Sequence, residues 1–385
     1  MDFGLYVHLP YCRSLCPYCA FAKAPLHRAE PERLLRALRH EWERASAADG
    51  AWKRPRTIYL GGGTPTALDP GSLRALLAWL ESAFDLSGLR EWTAEANPEG
   101  LTDEKLELLR AGGINRLSLG VQSLEPAVLR ILGRIHTSDR ALDALERARR
   151  AGFTNLSADF IIAVPGETAD GVRRSVEAVV ERGVPHISIY TLQIEEGTPL
   201  AAKVARGAME RPDEERAADR YAELALILGR AGYRHYEVSS WALPGFESRH
   251  NQGYWARRPY LGLGPGAHSY DGATRWRNAE DVTRYYERVE AGELPREDRS
   301  VLTNRVAAEE RIMLGFRRAR GLRRAELERL AGTAAEAWSD WAARAGAVRL
   351  DPPGRIRPTE RGFLLAHELS AELLARMDEV PRGSA

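Results

Sequence analysis

The chain has 385 residues, of which 44% are hydrophobic and 28% charged, enough for two or three domains at roughly 150 residues each. These proportions exclude the disordered, collagen-like and disulfide-scaffold classes. The balance of 55 Lys and Arg against 54 Asp and Glu excludes a global field that draws the chain to nucleic acid or an anionic membrane, so any acidic ligand must be held locally.

The first predicted strand is LYVHL at 5–9, and the loop after it carries all 3 cysteines, Cys12, Cys16 and Cys19. An odd, clustered set makes a poor disulfide framework and fits a reducing compartment. MDFGLYVHLPYC lacks a basic, then long apolar, leader. No later stretch approaches the roughly 18 apolar residues of a membrane span, so the expected location is cytoplasmic, without stable membrane insertion.

Helix and strand patterns then alternate. A helix over 31–48 has Pro near its start. TIYLG at 57–61, a helix from Ser72 to Phe84, EWTAEA at 91–96 and a helix capped by Thr102 and closed by glycines follow. Next come RLSLGV at 116–121, two helical stretches to Gly152, LSADFII at 156–162, a helix near 169–182 and HISIYTL at 186–192. Six βα units imply a parallel sheet with right-handed crossovers, curled into a partial (β/α)6 barrel of the TIM type.

The remainder reads differently. A helix at 213–233 leads to YEVSSWA at 236–242, then a loop-rich stretch rich in Gly, Trp and Tyr. Beyond residue 280 the chain is mainly Arg/Ala/Glu helix, with a hairpin around DPPG within 348–359 and a final helix near 360–377. The expected division is a βα core over 1–240, a loop-rich binding or linker segment over 241–280, and a mainly helical, winged-helix-like accessory domain over 281–385. RRARGLRRAELERL at 317–330 interleaves Glu with Arg, which with the neutral total argues against a nucleic-acid partner.

Three thiolates in one short loop can hold three irons of a [4Fe–4S] cubane and leave the fourth iron open to a substrate. The rival readings are a structural zinc site, which wants four closed ligands, and three incidental buried thiols. Gly61, Gly62 and Gly63 of GGGTPT fall at the C-terminal end of the second strand, where parallel α/β folds bind ligands. Their lack of a side chain allows close approach to a ligand, or simply makes a tight turn with Thr64 as its cap. Glu95, Gln122 and Asp159 fall in or just after the third, fourth and fifth strands, so they can converge on one face or merely pair locally.

CxxxCxxC after the first strand of a βα array resembles the radical S-adenosylmethionine superfamily. The segments LYVHLPYCRSLCPYCAF, YLGGGTPT at 59–66, GVQS at 120–123 and HNQGYW at 250–255, followed by YLGLGPGAHSY at 260–270, resemble its HemN/HemW branch, named for oxygen-independent coproporphyrinogen III oxidase and its heme-chaperone relative. The resemblance implies a [4Fe–4S] cluster on Cys12, Cys16 and Cys19. It also implies S-adenosylmethionine contacts from Tyr6, Tyr18, Gly62, Gly63, Thr64, Glu95, Gln122, Arg134 and Asp159, the Arg134 fork suiting a carboxylate.

HNxxYW resembles the branch's heme-chaperone signature and implies heme contact by His250, Asn251, Tyr254 and Trp255. A neutral imidazole can ligate heme iron, and the aromatic rings can pack on the porphyrin face. His268 is read as structural. Two implied functions compete: heme carriage to a recipient such as a respiratory protein, and oxidative decarboxylation of coproporphyrinogen III to protoporphyrinogen IX. Phe21, where the oxidase loop has a further Cys, and the eleven residues before Cys12 in place of a longer segment favour the carrier. A heme-accepting protein, a reductant protein for the cluster and a dimer are the expected partners.

Overall fold

The protein is described from a computed structural model covering residues 2–49, 52–352 and 354–379. Six parallel strands form in chain order: β1 (Phe3–Leu9), β2 (Pro55–Gly62), β3 (Glu91–Ala96), β4 (Arg116–Gln122), β5 (Asn155–Ile162) and β6 (His186–Thr191). They lie side by side in that same order, each pairing in parallel with the next. The helices between them include α1 (Pro31–Asp49), α2 (Pro70–Ala83), α3 (Asp103–Ala111), α4 (Pro126–Ile131), α5 (Ser138–Arg150) and α6 (Ala169–Glu181). The partial (β/α)6 barrel is therefore present.

Period-two alternation explains why these strands build a barrel with a reactive interior. Leu5 and Val7, Ile58 and Leu60, Trp92 and Ala94, Leu117 and Leu119 point into one continuous core, each large side chain contributing about 1.5–3 kcal/mol on burial. The alternate positions, Tyr6, Tyr59, Glu95, Ser118, Asp159 and Ser188, are polar and meet across the opposite face. Thr102 caps α3, as its sequence position predicts, by accepting from the Lys105 amide.

The sheet continues well past the sixth strand. β7 (Arg234–Glu237) and β8 (Ser240–Ala242) add antiparallel edge strands beside β6. The single run predicted at 236–242 is thus two strands, broken by a turn at Val238 and Ser239. On the other edge β9 (Tyr260–Leu263) pairs in parallel with β1. β10 (His268–Tyr270), β11 (Thr274–Asn278) and β12 (Arg296–Val301) then extend the sheet antiparallel, to twelve strands. The stretch expected to be loop-rich therefore holds a helix, Arg249–Trp255, and three strands. Its many glycines and aromatics mask a regular alternation in HSY and TRWRN.

A second core gathers Ile312, Phe316, Leu327, Trp338 and Leu373. Helix Asn304–Gly315, strand β13 (Leu322–Arg323), two further helices and the hairpin β14 (Val348–Asp351) and β15 (Arg355–Pro358) follow in winged-helix order. Pro353 of the predicted DPPG turn lies outside the described residues. The final predicted helix is interrupted at Leu365 into Glu360–Leu364 and Ala366–Glu379.

Candidate functional site

The cysteine loop leaves the C-terminal end of β1, where Tyr11–Cys12 pairs in parallel with Ala24–Pro25. It is pinned from below by the glycine loop: the Gly63 amide donates to Leu9 O at 2.8 Å and the Thr64 amide to Tyr11 O at 2.9 Å. A Cβ on Gly63 would stand 2.7 Å from Pro10 C and Tyr11 O. Gly62 adopts φ 103° with the His8 ring against it. The glycines therefore let two backbones meet, and the Gly63 and Thr64 amides are spent on the cysteine loop.

Cys12, Cys16 and Cys19 are free and half-buried. Donors approach two of the sulfurs. Thr64 Oγ1 lies 4.0 Å from Cys12 Sγ, and Arg134 Nη1 lies 3.5 Å from Cys16 Sγ. Asn97 links the two donors, giving its amide to Thr64 Oγ1 at 2.8 Å and accepting from Arg134. Tyr18 lies beside Cys16. Burial pushes the Cys12 thiol up to about 11, against the Thr64 hydroxyl, so a thiolate there depends on positive charge such as a coordinated metal supplies.

Donors aimed at sulfur are what a thiolate-held cluster needs, since hydrogen bonds to its sulfurs tune its potential; the loop fits a [4Fe–4S] cluster on that ground. Among the described residues no three His, Cys, Asp or Glu side chains are gathered around a single ion position. A cubane places each cysteine on its own iron. The expected Arg134 fork is already engaged, with Gly120 O at 3.3 Å and Glu99 at 3.8 Å besides Asn97 and Cys16.

Behind the loop the barrel's inner face brings together several of the expected residues. Tyr59 Oη donates to Glu95 Oε1 at 2.8 Å. Burial, with the Asp159 carboxylate nearby, pushes Glu95 up to about 7 against the Tyr59 and Gly62 donors. Asp159 accepts from Ser118 Oγ at 2.9 Å and Ser157 Oγ at 3.0 Å, and burial raises it despite these donors and Arg116. Gln122 sits at φ 63°, where the β4–β5 register slips. A non-glycine residue in that conformation costs on the order of 1–3 kcal/mol and turns the side chain back toward the site. Its amide stands beside Gly120, next to Asn97 and Arg134.

Sequence reasoning missed Tyr59 and Asn97. The signal for Tyr59 was its place in the alternation T-I-Y-L, one strand over from Tyr6.

The HNxxYW residues divide. His250 is 2% exposed, with Nδ1 2.8 Å from Thr57 Oγ1 and Nε2 2.8 Å from Tyr254 Oη. Glu91 accepts from the Arg249 and His250 amides at 2.8 and 2.9 Å. Thr57, Glu91 and Gly4, whose added Cβ would stand 3.2 Å from the His250 ring, lie toward the starts of their strands, so His250 packs at the end of the sheet opposite the cysteine loop. Burial holds His250 down to about 3. Both ring nitrogens are thus engaged within the chain. Asn251 offers its backbone amide to the cap of Ser248.

Tyr254 and Trp255 instead line a cavity of about 560 Å³. Its walls include Tyr6, Phe21 and Ala22 beside the cysteine loop, Tyr260 and Tyr270, and His268, Arg257, Arg275 and Arg277. A largely apolar cavity of this size with a few convergent cations suits a flat apolar molecule bearing acidic groups. The basic side of the cavity was also missed in the sequence. Its signal is the alternation of R275-W-R277 opposite H268-S-Y270.

Comparisons with known proteins agree with this geometry. Residues 6–179 match the family described as the Radical SAM superfamily. The chain is 43% identical over 296 residues to a heme chaperone HemW of Mycobacterium tuberculosis, covering 76% of each chain. It is 38% identical over 317 residues to heme chaperone HemW of Lactococcus lactis, covering 82% of each. Among solved structures, coproporphyrinogen III oxidase HemN of Escherichia coli, a radical SAM enzyme, superposes with TM-score 0.82 at 24% identity. The match covers 97% of this chain and 90% of that one.

Proposed function

Because this chain belongs to the HemW group of the radical SAM superfamily, we propose that it carries heme, binding it in the cavity beside the cysteine loop and delivering it to a recipient protein. One observation carries this reading furthest: the aromatic, arginine-rimmed cavity is walled by Tyr254 and Trp255 of HNxxYW on one side and by Phe21 of the cysteine loop on another.

Cys12, Cys16 and Cys19 would hold the [4Fe–4S] cluster, with Arg134 and Thr64 steadying Cys16 and Cys12. Glu95, Gln122 and Asp159 on the inner barrel face, with Tyr6 and Tyr18 beside the loop, would orient S-adenosylmethionine. When bound, the reduced cluster supplies one electron for cleavage of the sulfonium. Gly62 and Gly63 act here by closing the loop on its support.

The reading takes a heme-accepting protein and a reductant protein as partners. It takes the carrier to be cytoplasmic and to meet its recipient by docking; among the described residues no helix is long and apolar enough to cross a membrane. A dimer is part of the same proposal. The test is anaerobic reconstitution followed by addition of hemin and gel filtration. The expected result is a brown protein that co-elutes with about one heme per chain and passes it to a heme-free acceptor, whereas a colourless protein retaining zinc would defeat the cluster assignment.

A further inference from the structure

Three imidazoles stand in or beside the cavity, and their states differ. His8 is buried, with Nε2 2.7 Å from Ala22 O and Nδ1 3.1 Å from Tyr6 Oη. His250 lies behind Tyr254 with both nitrogens engaged. His268 alone is exposed on the cavity wall, and among the described residues no group hydrogen-bonds its ring.

Strand register explains why His268 faces the cavity. It pairs with Arg277, and Tyr270 pairs with Arg275, across β10 and β11. The residues between them, Ser269 and Trp276, are buried on the other face, Ser269 donating and accepting at the Gly262 backbone. Pleating therefore sets His268, Tyr270, Arg275 and Arg277 on one face. Tyr260 joins them through its pairing with Tyr270.

We propose that His268 supplies the imidazole that ligates the iron of a heme seated in this cavity, against the aromatic walls of Tyr254, Trp255 and Tyr260, with Arg277 facing its propionates and Arg275 held in the wall by Glu310 at 2.6 and 3.1 Å. The inference rests on the carrier reading and deepens it by replacing the buried His250 with an open ligand. Burial and the charges of Arg277 and Arg275 hold His268 below its usual pKa, Glu280 and Asp298 opposing them. The ring is thus neutral at pH 7, as an iron ligand must be. Arg277 is engaged by Glu280 at 3.1 Å and Asp298 at 2.6 Å in half-exposed pairs. Such pairs are weak, so a propionate can take the place of either carboxylate.

The experiment is an anaerobic hemin titration of the full-length, cluster-loaded protein, followed by Soret position and electron paramagnetic resonance. His268→Ala, the similarly sized His268→Gln, and His250→Ala are compared with wild type. Cluster iron and a thermal melt show that each variant folds. The proposal expects both His268 variants to lose the imidazole-ligated spectrum and to bind heme roughly tenfold more weakly. Added imidazole restores the spectrum in His268→Ala, and His250→Ala keeps it throughout. Folded His268 variants with wild-type spectrum and affinity would overturn the ligand assignment while leaving the carrier reading standing. A wild-type protein that binds no heme would overturn both.

Discussion

At the scale of single residues, His250 marks where chemistry on paper and placement in space part. A histidine beside Asn in an aromatic loop motif reads as a ligand because imidazole is a good one. Its surroundings engage it within the chain: Thr57, Glu91 and Tyr254 come from distant positions or from the next helical turn. No local pattern announces that all of them meet at one residue.

The burial has a pH signature. His250 titrates at about 3 when folded, against an ordinary 6.5. Below pH 6.5 the unfolded chain takes up a proton that the folded chain refuses. The stability due to the neutral ring is complete above pH 6.5 and is lost progressively as pH falls toward 3. Glu95, raised to about 7 from 4.5, acts oppositely, favouring the fold less as pH rises through that interval. His250→Ala is expected to cost about 2–3 kcal/mol at pH 7. It should also flatten the decline between pH 6.5 and 4 in urea denaturation curves. An unchanged slope would mean that another group governs the acid limb.

At the scale of elements, the cysteine loop was legible because its information is local. Three cysteines in one loop after a predicted strand need no distant partner to suggest a cluster. The glycine loop was legible in position but not in purpose. GGG at a strand end is compatible with ligand approach and with backbone contact, and only the packing of Gly63 on Pro10 and Tyr11 separates the two.

That contact makes a paired prediction. Gly63→Ala should force the loops apart, costing roughly 1–3 kcal/mol and lowering the iron bound after reconstitution. Gly253→Ala, in the middle of the HNxxYW helix with nothing within 4 Å of its added methyl, should stabilise by about 0.5–1 kcal/mol with iron unchanged. Equal iron content in the two variants would show that the glycine loop does not support the cluster.

Strand alternation carried more than the six βα units require. L-Y-V-H-L, E-W-T-A-E-A and L-S-A-D-F each place apolar residues toward the helices and polar ones inward. Reading both faces would have found the Tyr59–Glu95 and Ser118–Asp159 pairs as neighbours.

At the scale of the whole molecule, the order of βα units gave the barrel, because sequential parallel strands have few alternative arrangements. The sheet extension through β9 to β12 was less legible. Its strands are 3–6 residues long, the first three separated by short glycine-containing turns and the last set off by helix Val282–Glu290, and β9 returns to pair with β1 across some 250 intervening residues. Yet this extension completes the functional arrangement, setting a basic, aromatic wall opposite HNxxYW and next to the cluster loop.

The cavity could serve a tetrapyrrole as cargo or as substrate, and the barrel fold is common to both roles. The direct measurement is an anaerobic incubation of cluster-loaded protein with S-adenosylmethionine and a strong reductant. Heme is offered in one arm and coproporphyrinogen III in the other, and bound and free tetrapyrroles are separated by chromatography. A heme carrier retains heme on the protein and leaves coproporphyrinogen III unaltered. Decarboxylated product that disappears in the Cys16→Ala variant would contradict it and identify an oxidase.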